Sequence, residues 1–82
     1  MAKLCYFGRL TDVTGTAEEV VGLPPHVSDT GSLVSWLETG RGWTGLLSDR
    51  CVRIVVNNEI QDHDIDICDT DEIGFLPPVG GG

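Results

Sequence analysis

Positive charge is scarce in this chain. One lysine, Lys3, and four arginines, Arg9, Arg41, Arg50 and Arg53, stand against thirteen acidic residues, for a formal charge of −8. So few cations exclude the phosphate-neutralising surface that a nucleic-acid binder needs. The acidic balance suits a partner with a basic groove, where charge steers the encounter, and it also aids solubility. Long apolar runs are missing as well. None approaches the ~18 residues of a membrane span, and nothing near Met1 reads as a secretory signal. A cytoplasmic protein without a membrane partner is expected. Cysteine is confined to Cys5, Cys51 and Cys68. Their wide spacing offers no Cys-x-x-Cys pair, which excludes a zinc site, a dithiol redox motif and an iron–sulfur ligand set. All three are expected to be reduced and structural. Nor does the sequence show an acid–base pair, a nucleophile triad or a metal cluster.

What is present reads as one small domain. Residues 3–8 are strand formers, with Leu4 and Tyr6 inward and Phe7 on the other face. Residues 9–15, with Asp12, Thr14 and Gly15, read as a loop. Residues 16–23 pair back as a hairpin, and Pro24-Pro25 ends them. Ser28, Asp29 or Thr30 then caps a helix whose stripe is Leu33, Val34, Trp36 and Leu37, and Gly40 is expected to stop it. Trp43, Leu46 and Leu47 suggest a further short turn, and both tryptophans read as core. Residues 51–56 form the clearest strand, with Val52, Ile54 and Val56 on one face and Arg53 and Val55 on the other. Asn57-Asn58 makes a tight turn that sets Ile60 opposite Val55. Residues 61–71 hold five aspartates. Their spacing fails the calcium-loop pattern, so a solvated loop is expected, with His63 as surface decoration. Residues 72–76 are the last strand, with Ile73 and Phe75 inward and Gly74 and Leu76 outward.

The chain then ends on Pro77-Pro78-Val79-Gly80-Gly81-Gly82. Two prolines stiffen the exit and exclude helix, and three glycines offer no side chain to block entry into a narrow channel. Fully extended, these six residues reach about 20 Å. With Gly82 as the terminus, such a tail can bring a carboxylate deep into another protein's active site.

Strand, strand, helix, strand, short strand and final strand form an α+β domain, a mixed sheet of four to five strands on one main helix. That order is the β-grasp, or ubiquitin-like, fold, here residues 1–76 with an extended tail at 77–82. The ending from Asp71-Glu72-Ile73-Gly74-Phe75-Leu76 through Gly82 resembles the small subunit of molybdopterin synthase, the MoaD sulfur carriers. The likeness covers essentially the whole chain, with Tyr6-Phe7 and Val56-Asn57 also in place. Pro-Pro-Val-x-Gly-Gly is its specific part. Gly80 stands where that family usually has threonine or serine, and Leu76 replaces a common aromatic.

The resemblance implies a definite cycle. An E1-like adenylyltransferase would use ATP to activate the Gly82 carboxylate, and sulfur would replace AMP to leave a thiocarboxylate. The large subunit, in a heterotetramer, would then direct that sulfur onto cyclic pyranopterin monophosphate in molybdenum cofactor biosynthesis. The small subunit would hold no cofactor, and the active site would lie on its partner. Phe7, Ile60 and Leu76, all pointed outward by alternation, are the expected docking face. Two other readings share the fold and the Gly-Gly end: a sulfur carrier for thiamine or cysteine synthesis, and a ubiquitin-like protein modifier.

Overall fold

Two runs of strand formers far apart in sequence make the middle of the sheet. In the computed structural model, which describes residues 1–77, they are β1 (Ala2–Tyr6) and β5 (Glu72–Leu76). Between them the chain forms α1 (Leu10–Thr14), β2 (Glu18–Val21), α2 (Thr30–Arg41), β3 (Arg53–Val56) and β4 (Glu59–Gln61). The sheet order is β2-β1-β5-β3-β4. β1 and β5 run parallel, with Leu4 opposite Ile73 and Tyr6 opposite Phe75. The other pairings are antiparallel. This is the β-grasp arrangement that the order of elements led us to expect.

Alternation sorts the side chains. Leu4, Tyr6, Ile73 and Phe75 are buried with Leu33, Val34 and Leu37 of α2. Each such side chain contributes about 1.5–3 kcal/mol of transfer free energy. Tyr6 stacks on Phe75 at 5.6 Å and meets the edge of Trp43 at the same distance. Trp36 and Trp43 pack against this core, as expected.

α2 starts where Asp29 accepts the Ser32 N–H at 2.7 Å and the Ser32 hydroxyl accepts the Asp29 N–H at 3.1 Å. This reciprocal cap satisfies two amides that the helix cannot. Its end differs from expectation. The helix runs through Gly40 and Arg41 and stops at Gly42, which takes the left-handed conformation at φ 70°. Arg41 forks onto Glu19 of β2 at 2.8 and 3.0 Å, drawing the last turn onto the sheet edge. That bidentate contact offsets the roughly 1 kcal/mol cost of a glycine inside the helix.

Three other expectations are corrected. Residues 9–15 are not simply loop, because Leu10 is buried and the Thr11 hydroxyl donates to the Tyr6 carbonyl at 3.0 Å, fixing α1. The aspartates of 61–71 are not merely solvated. Asp69 accepts the Leu23 N–H at 2.8 Å, Asp71 accepts the Cys68 N–H at 2.8 Å, and Asp64 accepts the Thr30 hydroxyl at 3.3 Å. Asp69 and Asp71 thus cap backbone amides that no strand satisfies, while Asp64 takes a buried hydroxyl. Finally, only Cys5 is buried; Cys51 and Cys68 are exposed. Cys51 falls in the turn before β3, its N–H donating to Asp49 at 2.8 Å.

Candidate functional site: the root of the tail

β5 is a central strand, so the tail leaves from the middle of the sheet. Pro77 is described by the structure; Pro78, Val79, Gly80, Gly81 and Gly82 lie outside the described residues. The root is held on both sides. Tyr6 and Ile54 both pair with Phe75, and Arg53 pairs with Leu76. Beyond the end of β1, the Phe7 N–H donates to the Phe75 carbonyl at 3.1 Å. Pro77 has no N–H to extend the ladder, which stops there.

The structure brings the three expected docking residues onto one face, the one turned away from α2. Ile60 is opposite Val55, and Val55 is opposite Gly74, forming a single row across β4, β3 and β5. The Phe7 ring covers Gly74: a Cβ built on that glycine would lie 2.8 Å from Phe7 Cε2. Leu76 lies one position beyond Phe75 beside Arg53, on the same side as Gly74. Phe7 is 45 % exposed and Ile60 61 %, while Leu76 is half-buried. Two further apolar residues share this face, of which the sequence had placed Val55 opposite Ile60 but had not singled out Val20. Val55 links Ile60 to Gly74, and Val20, 59 % exposed, lies opposite Lys3 at the other end of the face. Strict alternation carried through the β1–β2 register is the signal that finds Val20.

Charge rims this apolar strip. Lys3 pairs with Glu18 at 3.5 Å, and Glu72 lies on the same face. The Cys5 thiol, between them, is pushed above its ordinary value by burial and then by the neighbouring Glu72 carboxylate. It is poorly suited to act as a nucleophile. On the opposite layer, a groove of about 370 Å³ between α2 and the β3–β4 hairpin is lined by Thr30, Val34, Ile54 and His63 among others, and by none of the three docking residues. No cluster of metal-ligating side chains occurs among the described residues. Nor is any helix among them long and apolar enough to cross a membrane.

The geometry is therefore a rigid sheet, an apolar strip and a tail root side by side. Comparison with known proteins gives the same fold. The model of the ThiS family matches residues 4–82. A protein of Pyrococcus furiosus described as molybdopterin converting factor subunit 1 superposes with a TM-score of 0.77 at 26 % identity, covering 95 % of this chain and 97 % of its own. The small archaeal modifier protein 1 of Methanosarcina acetivorans superposes with a TM-score of 0.70 at 24 % identity, over 99 % and 95 % of the two chains. Its counterpart from Haloferax volcanii gives 0.78 at 19 % identity, over 99 % and 98 %. The last two show a shared fold. No curated protein matches the chain.

Proposed function

The chain belongs to the ThiS family, and on that premise we propose that it is the sulfur carrier subunit of a molybdopterin synthase. The observation that carries this reading is the placement of the tail root. β5 leaves the centre of the sheet at Pro77 beside an apolar strip of Phe7, Ile60 and Leu76. A partner that covers the strip is positioned to receive the residues that follow. The Pyrococcus furiosus relative, named for a molybdopterin converting factor, supports molybdopterin as the destination.

In this reading Gly82 is the reacting residue. An E1-like adenylyltransferase joins its carboxylate to the α-phosphate of ATP, releasing pyrophosphate. Persulfide sulfur then attacks the acyl carbon and AMP leaves; a second thiol attacks the sulfur of the persulfide's carrier, forming a disulfide with it and releasing the thiocarboxylate. Gly81 and Gly80 keep the approach to that carbon free of β-carbons, and Pro77, Pro78 and Val79 span the distance from the sheet. Docked on the large subunit, in a heterotetramer, the thiocarboxylate supplies sulfur to cyclic pyranopterin monophosphate. The catalytic groups belong to the partner, whose role is to hold carrier and acceptor in a reactive orientation.

Intact mass of the purified protein, before and after incubation with an E1-like enzyme, ATP and a sulfur source, tests this directly. The expected result is one exchange of oxygen for sulfur localised to Gly82, followed by its loss when the large subunit and the pterin acceptor are added. A thiocarboxylate that is spent only on a thiazole or cysteine precursor would redirect the reading to those pathways. Gly82 in isopeptide linkage to other proteins would replace it with a protein modifier.

A further inference from the structure

We propose that Arg53 is the polar anchor of the docking strip, and that the partner covering the strip supplies a carboxylate to receive it. The inference deepens the reading of the strip as the large-subunit interface and rests on it. Arg53 lies among the apolar residues of the face turned away from α2. Its partner in register on β5 is Leu76. Val55, two positions along β3 and so on the same side, is opposite both Gly74 and Ile60. Arg53 is exposed.

The chain matches its other cation on this face from within. Lys3 pairs with Glu18 at 3.5 Å and has Glu72 as its partner in register on β5. Arg41, near the edge of the sheet, is held by both oxygens of Glu19. Arg53 has no such match: among the described residues it makes no ion pair. The carboxylate next in register is Asp62, which follows Gln61, the partner of Ile54. Asp62 is turned to His63 instead, at 2.6 Å. That ring is the main reason its carboxyl titrates below the ordinary value, with Arg53 adding least.

In the free protein, solvent satisfies the guanidinium. Under a partner it does not. Covering Phe7, Ile60 and Leu76 also strips water from Arg53, and a buried charge without a counter-ion costs more than one apolar contact gains. A neutral surface is therefore disfavoured, and one that places a carboxylate over β3 is selected. The guanidinium fork suits that group, since it can donate to both oxygens at once. The apolar residues supply contact area, while Arg53 supplies register and choice of partner.

Calorimetry and dissociation kinetics with a molybdopterin synthase large subunit test the proposal, after thermal melts have established that each variant is folded. Arg53→Met keeps the apolar stem and removes the charge. It is expected to weaken binding by about 30-fold or more, mostly through faster dissociation, because the partner's carboxylate is left buried and unpaired. Arg53→Glu is expected to lose more, and Arg53→Lys, which keeps the charge without the fork, to fall between wild type and Arg53→Met. Asp62→Asn is expected to bind as wild type does.

An Arg53→Met variant that binds as tightly as wild type, or that loses only a salt-dependent part of the association rate, would place Arg53 on a wet rim and overturn the proposal. A loss in Asp62→Asn equal to that in Arg53→Met would overturn it too, since the chain would then neutralise Arg53 itself. Phe7→Ala separates this inference from the reading beneath it. If Phe7→Ala weakens binding and Arg53→Met does not, the strip stands and the anchor fails. If neither does, or if wild type does not bind, the interface lies elsewhere and both fail.

Discussion

The Tyr6 hydroxyl donates to Glu19 Oε2 across 2.8 Å, and Arg41 grips the same carboxylate from the last turn of α2. One carboxylate thereby ties β1, β2 and α2 together. Arg41 is the main reason that Glu19 titrates below its ordinary value; burial opposes the shift, and the Tyr6 hydroxyl adds to it. Burial, with Glu19 alongside, pushes the Tyr6 phenol well above its own ordinary value.

Because the folded-state pKa of Glu19 is depressed, its contribution is fully present above the unfolded value near 4.5 and is lost as pH falls through the lower folded value. Glu19→Gln is expected to cost about 1–3 kcal/mol at pH 7 and to lose less on acidification than wild type. Urea titrations at neutral pH and below the unfolded value make the comparison. An identical pH dependence in both proteins would mean that ionisation of Glu19 is not linked to folding.

The two asparagines of the β3–β4 turn should respond in opposite ways. Both have positive φ, 50° at Asn57 and 72° at Asn58, which suits glycine. Asn57 also works with its side chain, donating to Asp71 at 3.0 Å and accepting the Glu72 N–H at 3.0 Å, so it joins the hairpin to the start of β5. Asn57→Gly is expected to cost about 1–2 kcal/mol. Asn58→Gly is expected to be neutral, or stabilising by up to about 0.5 kcal/mol, since Asn-Gly is a preferred pair for such a turn. Equal effects in chemical denaturation would contradict this division.

Thr30 is almost wholly buried, at 1 % exposure, and its hydroxyl both donates to Asp64 and accepts the Ile65 N–H at 3.2 Å. Thr30→Val keeps the shape and removes both bonds. It is expected to destabilise by about 1–3 kcal/mol by leaving a partly buried amide without its side-chain partner. Faster hydrogen exchange at Ile65, beyond the global change, locates the effect; uniform acceleration would place it elsewhere.

For the docking strip, Phe7→Ala and Leu76→Asp are each expected to weaken binding to a molybdopterin synthase large subunit by 1–2 kcal/mol or more, roughly tenfold in affinity. Circular dichroism should show the fold unchanged. Calorimetry with unchanged affinity for both variants would move the interface off this face.

Much of the fold was legible in the sequence because its signals were local. The alternation in residues 72–76 put Ile73 and Phe75 inside, the asparagine pair made the expected turn, and Asp29 proved to be the cap. Much of what was not legible depended on partners distant in sequence, and the rest on short local bonds such as Thr11 to Tyr6 and Cys68 to Asp71. The helix passes Gly40 because Arg41 reaches Glu19, twenty-two positions earlier. Residues 10–14 become helical because Leu10 has a core to enter and Thr11 a carbonyl at Tyr6 to bind. The aspartates read as solvated only until Leu23 and Cys68 supply amides for them. At the tail root, the sequence named Phe7 and Leu76 but gave no hint that the Phe7 ring lies over Gly74, since only the parallel β1–β5 pairing brings them together.

That parallel pairing has a consequence for how the protein is made. β5 lies between β1 and β3, so until residues 72–76 have been synthesised those two strands each face an empty neighbour. Pairings between distant segments form slowly, and unpaired edges invite aggregation. A nascent or prematurely ended chain that stops before Glu72 therefore cannot close its sheet, and completion of folding reports that translation has reached the root of the tail.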